Sequence, residues 1–235
     1  MDGFDFSDTL KIKLDYFGPE EEPILTASDV FKNPDSARAF AIERSNRFQP
    51  SMTSYPGVIL KVPASYVSQL LKNFSSKIVE VFNRDNLRLS FAASSFSIVC
   101  TPEDKLTPLQ KTPHFDSQSP LSFAFVHYLS NHKNTGIDFY QHQQTNFQFV
   151  DRVRSSKYLN HANDELHITK EFGNEGYPDK STPCYKQVHT EMAKPNKIVG
   201  YRGCALHSGR IPADMPLEKD PSLGRLTITT FFEFN

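Results

Sequence analysis

The sequence predicts an α+β fold in which helices come first and an antiparallel β-sandwich or jelly roll follows. Three observations carry that expectation. The clearest amphipathic helix lies within the first 85 residues. From Arg88 onward the apolar pattern becomes β-like and recurs to the end of the chain. Phenylalanine is abundant, at 20 of 235 residues, while glycine is scarce, at 10, a balance that suits packed sheets.

The elements follow in order. Residues 8–17 (DTLKIKLDYF) alternate like an edge strand. Ser28 and Asp29 can cap a short helix through about Lys32, and Asp35 or Ser36 can cap a second over ARAFAIERS. SYPGVILKVP combines a turn signal with a short apolar run. Ser65 opens the amphipathic helix SYVSQLLKNFSSKIVEVFN, in which Val67, Leu70, Leu71, Phe74, Ile78, Val81 and Phe82 keep three-and-four spacing and face a core. RLSFAASSFSIVC, LSFAFVHYLS, TGIDFYQHQ, KIVGYRGCALHS and GRLTITTFFEF then read as five β runs. Residues 151–195 are polar and rich in His, Lys, Asn and Pro, and read as an insert with a short helix and long loops. No repeat or linker interrupts the chain, so one domain is expected over 1–235: a helical support over 1–85 and a jelly-roll core over 86–235 carrying the insert 151–195.

Composition removes several function classes. A net charge of -1 gives no electrostatic reason to bind nucleic acid or an anionic membrane. No apolar run approaches the ~20 residues that span a bilayer. The N-terminus lacks a signal-peptide core, which points to the cytoplasm. Cys100, Cys184 and Cys204 are odd in number and show no CxxC spacing, so neither a disulfide framework nor a structural zinc site is expected.

Three pieces of the sequence carry chemistry. In Pro113-His114-Phe115-Asp116 the two polar residues are two apart, so an extended backbone points both the same way and lets them share one metal. Imidazole with carboxylate suits Fe(II), Mn(II) or Zn(II). An HxD triplet alone is common by chance and reads more readily as a surface turn. The second piece is His207 in GCALHSG, after an apolar strand and before a glycine-containing turn; by itself it reads as a strand-end histidine satisfied by backbone. The third is Arg225 in GRLTITTFFEF, a cation in an otherwise buried strand, which needs an anionic partner. Its planar fork suits a carboxylate, and Thr227 on the same strand face can add a hydroxyl.

In this order the pieces resemble the Fe(II)/2-oxoglutarate-dependent dioxygenase superfamily, particularly its prolyl-hydroxylase-like branch. Over roughly residues 50–235 the chain looks like a bacterial family of uncharacterised proteins of that fold, on Tyr55-Pro56-Gly57-Val58, FSIVCTPEDKLTPLQKTPHFDS, LHSGRI and GRLTITTF. The resemblance implies a double-stranded β-helix with N-terminal helices packed on one sheet. It implies Fe(II) on His114, Asp116 and His207, 2-oxoglutarate as cosubstrate, and O2. It matches Arg225 to the basic residue on the distal carboxylate of 2-oxoglutarate, Thr227 to its hydroxyl neighbour, and Tyr128 to a tyrosine that reaches the same carboxylate. TGIDF matches a turn between strands. The implied activity is hydroxylation of an organic substrate, small molecule or peptide, coupled to decarboxylation of 2-oxoglutarate to succinate.

Alternatives stay open at this level. The stretch between His207 and Arg225 is longer than is usual in the superfamily, and Arg210 rivals Arg225 for the carboxylate. A non-catalytic or cupin-like metal-binding jelly-roll module is the other functional class. Asp116 argues against iron-dependent halogenation, in which a small residue replaces the carboxylate. His127 is expected on the strand face opposite Tyr128, and His132, His142, His161, His167 and His189 are expected in solvent, with His142 a candidate neighbour of the metal ligands. A homodimer would be ordinary for the fold.

Overall fold

Apolar residues at every second position build two sheets of unequal size in the computed structural model, which describes residues 3–172 and 176–235, the side chains of 166–172 excepted. The strands are β1 (Lys13–Phe17), β2 (Glu22–Ala27), β3 (Gln49–Pro50), β4 (Gly57–Lys61), β5 (Leu89–Val99), β6 (Ser122–Tyr128), β7 (Gly136–His142), β8 (Tyr185–Met192), β9 (Lys197–Arg202), β10 (His207–Arg210) and β11 (Leu226–Phe234). The large sheet runs β1-β2-β9-β6-β11-β5-β4-β3, and the small one β10-β7-β8. An isolated antiparallel bridge between His114 and His207 adds the His114 segment to the free edge of β10. Every pairing is antiparallel. The architecture is a double-stranded β-helix, in which β5, β11, β6 and β9 oppose the His114 segment, β10, β7 and β8.

Helices α1 (Pro34–Ile42) and α2 (Ala64–Phe82) back the large sheet. The three-and-four stripe of α2 buries Leu70, Phe74 and Ile78, together with Tyr66. They pack on Phe123 and Phe125 of β6, Phe96 and Ile98 of β5, and Leu226, Ile228, Phe232 and Phe234 at alternate positions of β11. Phe74 meets Phe125 edge to face at 5.1 Å. Asn83 ends α2 in the left-handed conformation, a usual helix stop.

The opposite face of the same strands looks into the space between the sheets. Ala124 and Tyr128 of β6 and Val199 and Tyr201 of β9 meet Ile137 and Phe139 of β7 there. Alternation therefore commits β11 to two environments, with Leu226 and Ile228 toward the helices and Arg225 and Thr227 toward the inter-sheet space.

Four expectations change. Residues 28–32 form no helix: Asp29 adopts a left-handed turn (φ 54°), and Phe31 bridges to Phe6. The alternating run at 8–17 contributes only β1, and β2 beside it was unforeseen. The 151–195 insert holds the 18-residue helix α3 (Ser155–Phe172) and the strand β8, more order than its polar composition suggests. KIVGYRGCALHS is two strands. The chain leaves the large sheet after Arg202 through a turn closed by Ala205 N–H donating to the Arg202 carbonyl (3.0 Å). Gly203 lies so close to Ser122 in that turn that a Cβ would stand 2.6 Å from its hydroxyl. His207 therefore begins a strand of the small sheet and does not end one of the large.

Candidate metal centre and anion pocket

His114 and His207 face each other across the bridge and exchange both backbone bonds, at 2.9 and 2.8 Å. Directly opposed residues of an antiparallel pair project to the same side. Asp116, two residues beyond His114, shares that side, held by its N–H on the Gly203 carbonyl (2.8 Å). The three ligand atoms consequently lie within 4.8 Å of one another. Asp116 Oδ1 is 3.8 Å from His114 Nε2, and Oδ2 is 3.6 Å from His207 Nε2. Phe115, between them, turns away to pack on Tyr158 of α3.

The protonation states suit a divalent cation. Burial lowers the His207 imidazole to about 4, against a smaller upward pull from its bond to the Ala205 carbonyl. His114 shifts the same way, through the surrounding protein first and the neighbouring His207 second, while half of its ring remains open to solvent. Burial raises Asp116 to about 6. At neutral pH both imidazoles are therefore uncharged and the carboxylate is ionised, as metal ligation requires. His207 Nδ1 lies 3.0 Å from the Ala205 carbonyl, which can only accept. The ring proton thus sits on Nδ1 and leaves Nε2 bare, the outer support that ligating histidines usually have. Two histidines and one carboxylate whose ligand atoms converge in this way are the donor set of a facial triad. The residues fit such a metal.

A second feature lies between the sheets, at the start of β11. Arg225 is buried, at 6% exposure, and no carboxylate among the described residues pairs with it. Its Nη2 donates to the Gly136 carbonyl (2.9 Å), and its guanidinium stands 5.4 Å from the Tyr128 ring centre. Among the described residues its Nε has no partner, nor do the buried hydroxyls of Tyr128 and Tyr55. Each such orphan costs about 1–3 kcal/mol, and a buried unpaired cation costs more. Arg225 acts electrostatically on both tyrosines, and three unmet donors, one of them charged, make this a candidate anion site. Thr227 is opposite Tyr128 in register, but its hydroxyl already donates to the Ser97 carbonyl (3.2 Å).

Arg210 is not at this pocket. Counting from His207, which faces the site, position 210 falls on the outer face of the small sheet. There Arg210 reaches the buried Asp138 carboxylate (3.3 Å) and the Asn134 carbonyl (3.1 Å).

The other histidines divide. His127 is fully buried on the helix side, opposite in direction to Tyr128 as expected, between Tyr66 and Asn196. His142 is not in solvent and not at the metal centre: its ring nitrogens meet Thr145 (2.8 Å) and Glu165 (2.6 Å), tying α3 to β7. His189 stacks on Phe17 and bonds Glu191. The side chain of His167 lies outside the described residues. Two functional candidates escaped sequence reasoning. Tyr201 places its hydroxyl 3.0 Å from His207 Nε2, and its only sequence signal is a period-two match to Val199. Tyr55 belongs to the Tyr-Pro-Gly cue, which carries no chemical signal.

A family model matches residues 8–232, that of a family of unknown function, DUF6445. The chain belongs to DUF6445. No curated protein matches it. Among solved structures, this DUF6445 chain is similar to the non-heme alpha-ketoglutarate-dependent carbocyclase SnoK from nogalamycin biosynthesis, with 10% identity, a TM-score of 0.52, and coverage of 91% of this chain and 80% of that one. It is also similar to a prolyl-4-hydroxylase from Pseudomonas putida (13% identity, TM-score 0.46, 91% and 94% covered). A third is HygX from Streptomyces hygroscopicus, solved with nickel and 2-oxoglutarate bound (13% identity, TM-score 0.48, 89% and 82% covered). The likeness to SnoK shows the shared fold. No helix among the described residues is long and apolar enough to cross a membrane.

Proposed function

We propose that the chain is an Fe(II)- and 2-oxoglutarate-dependent oxygenase that hydroxylates an organic substrate. The single observation that carries this reading is the buried, carboxylate-free Arg225 beside the unpartnered Tyr128 hydroxyl, in the same inter-sheet space as the His114, Asp116 and His207 ligand set. A metal-binding module without a cosubstrate has no use for that cation.

In this reading His114, Asp116 and His207 hold iron, and Arg225 and Tyr128 receive the distal carboxylate of 2-oxoglutarate, with Tyr55 as a further donor. When bound, iron and 2-oxoglutarate supply O2 activation with release of succinate and CO2. The chain supplies the rest. Arg225 and Tyr128 would hold the distal carboxylate of the cosubstrate and so limit its orientations. Phe139, Ile137 and Val199 keep water from its flank. His114, the exposed ligand, marks the side from which the organic substrate approaches. A cleft of about 700 Å³ lined by Lys111, Tyr177, Ile211 and Met215 opens along the segments that lead into His114 and out of β10. It is ample for a small molecule or an amino-acid side chain.

Anaerobic titration with Fe(II) and then 2-oxoglutarate tests the proposal. A visible metal-to-ligand charge-transfer band is expected only when both are present, and is expected to be lost in His114→Ala and strongly weakened in Arg225→Ala. Iron binding without the band would sink the oxygenase reading and favour a cupin-like metal site.

A further inference from the structure

Tyr201 ends a run of site-facing residues on β9 and is 2% exposed. Its ring packs edge-on against Phe139 (5.2 Å, 79°), and its hydroxyl lies 3.0 Å from His207 Nε2. Because His207 carries its proton on Nδ1, bonded to the Ala205 carbonyl, Nε2 can only accept. Tyr201 is therefore the donor. That same nitrogen faces Asp116 Oδ2 at 3.6 Å and is the atom through which His207 would ligate a metal.

A metal on Nε2 takes the lone pair that Tyr201 uses. The hydroxyl then loses its acceptor, and burial denies it water. The Asp116 carboxylate is close enough to act on the Tyr201 hydroxyl electrostatically, and it and the oxygen atoms that complete the metal's shell are the acceptors left to it. These are anionic or polarised, and a hydrogen bond to such an oxygen is roughly twice as strong as a neutral one.

We propose that Tyr201 is a positioning residue of the metal centre: its hydroxyl caps His207 Nε2 while the metal is absent and transfers its hydrogen bond to an oxygen of the metal's ligand shell when the metal binds. The exchange keeps the site assembled in the metal-free protein, with His207 already aimed at Asp116. In the loaded protein it holds the orientation of one ligand oxygen. The inference rests on the metal-centre reading, and it does not depend on which cosubstrate or substrate follows.

The chain has nine tyrosines and no tryptophan. Its near-ultraviolet absorption therefore reports tyrosine, and zinc adds no colour of its own. Titration of the metal-free protein with Zn(II), followed by calorimetry and by near-ultraviolet difference absorption, reads both parts of the proposal. The wild type is expected to bind one zinc and to give a tyrosine difference signal that saturates with it. Tyr201→Phe, which keeps the ring, is expected to bind zinc roughly tenfold more weakly and to lose most of the signal. Equal or tighter zinc binding in the variant would show that the hydroxyl only obstructs the site, and would overturn the proposal. So would an unchanged difference signal. If the variant does not fold, the wild type still decides: zinc binding with no tyrosine signal refutes the exchange. A wild type that binds no zinc refutes the metal centre itself, and the proposal with it.

Discussion

The two faces of β11 share one backbone and oppose each other in chemistry. Toward the helices, Leu226, Ile228 and Phe232 are at most 1% exposed and pack in the apolar cluster under α2, and the buried Thr230 between them bonds Ser94 (2.7 Å). His127 is likewise paired: both its nitrogens have partners, Tyr66 at 3.4 Å and Asn196 at 3.2 Å, and Asn196 in turn bonds both backbone groups of Phe31. Toward the small sheet, one residue away in sequence, Arg225 and Tyr128 hold donors with no acceptor. Buried polar groups are as a rule satisfied, so the second face is the one whose hydrogen bonding is completed by something other than the chain. One face makes the fold stable, and the other carries donors without acceptors, which the proposed cosubstrate would fill.

Substitutions on the two faces should separate stability from binding. The largest expected effect is on the helix side. Phe232→Ala removes a ring that contacts Phe125 and Phe234 and should cost about 3–5 kcal/mol of folding stability in urea denaturation. Its folded fraction should still bind metal and 2-oxoglutarate normally. Arg225→Met should do the reverse. Removing a buried cation that has no counter-charge should leave the metal-free protein at least as stable as the wild type. On the proposed function, 2-oxoglutarate should stabilise the metal-loaded wild type by about 2.7 kcal/mol at a hundredfold excess over its Kd, and this gain should disappear in the variant. A large stability loss in Arg225→Met would mean that the pocket is built as structure and would collapse the contrast.

Acid should sharpen the comparison from the helix side. Burial lowers His127 to about 3, with the Asn196 bond a smaller opposing effect. The unfolded chain takes up this proton as pH falls through 6.5, while the folded protein does not. Stability that is present above 6.5 is therefore lost on acidification, at up to about 1.4 kcal/mol per pH unit, until the folded value is reached. In His127→Gln that share of the loss is absent, so the stability gap between wild type and variant should narrow steadily from pH 6.5 to 4. A gap independent of pH would place the proton elsewhere.

Much of this was legible in the sequence, for physical reasons that also explain the misses. The α2 stripe and the runs that became β6, β7 and β11 declare themselves through apolar residues at the period of their element, and β5 through a β-like run that ends in the buried FSIV. His114 and Asp116 declare a shared direction because extended backbone has a period of two. β2 and β8 are hidden because a strand's identity there depends on its neighbours: β8 buries only one of its eight residues fully. In the sequence His207 reads as the end of a strand that in fact stops at Arg202, since Gly203 looks like one more small residue in an apolar run. The register that sets Tyr201 beside His207 and turns Arg210 to the outer face depends on that break.

Arg210 supplies the smallest and most discriminating prediction. It and Arg225 are the two arginines near the end of β10, and sequence alone leaves either as the carboxylate partner. The register from His207 puts Arg210 on the outer face, where its side chain is about one-third exposed and reaches Asp138 at 3.3 Å. Asp138 is fully buried but keeps Thr190 (2.6 Å) and Gln187 (3.2 Å) as donors when Arg210 is removed. Arg210→Ala should therefore lower stability by only about 1 kcal/mol, the worth of an ordinary, part-exposed hydrogen bond. The affinity of the iron-loaded protein for 2-oxoglutarate should stay within about twofold of wild type, a shift of under ~0.5 kcal/mol. A loss of 2-oxoglutarate binding in Arg210→Ala comparable with that in Arg225→Met would mean that β10 is read in the wrong register. It would also move the anion pocket to the other face of the small sheet.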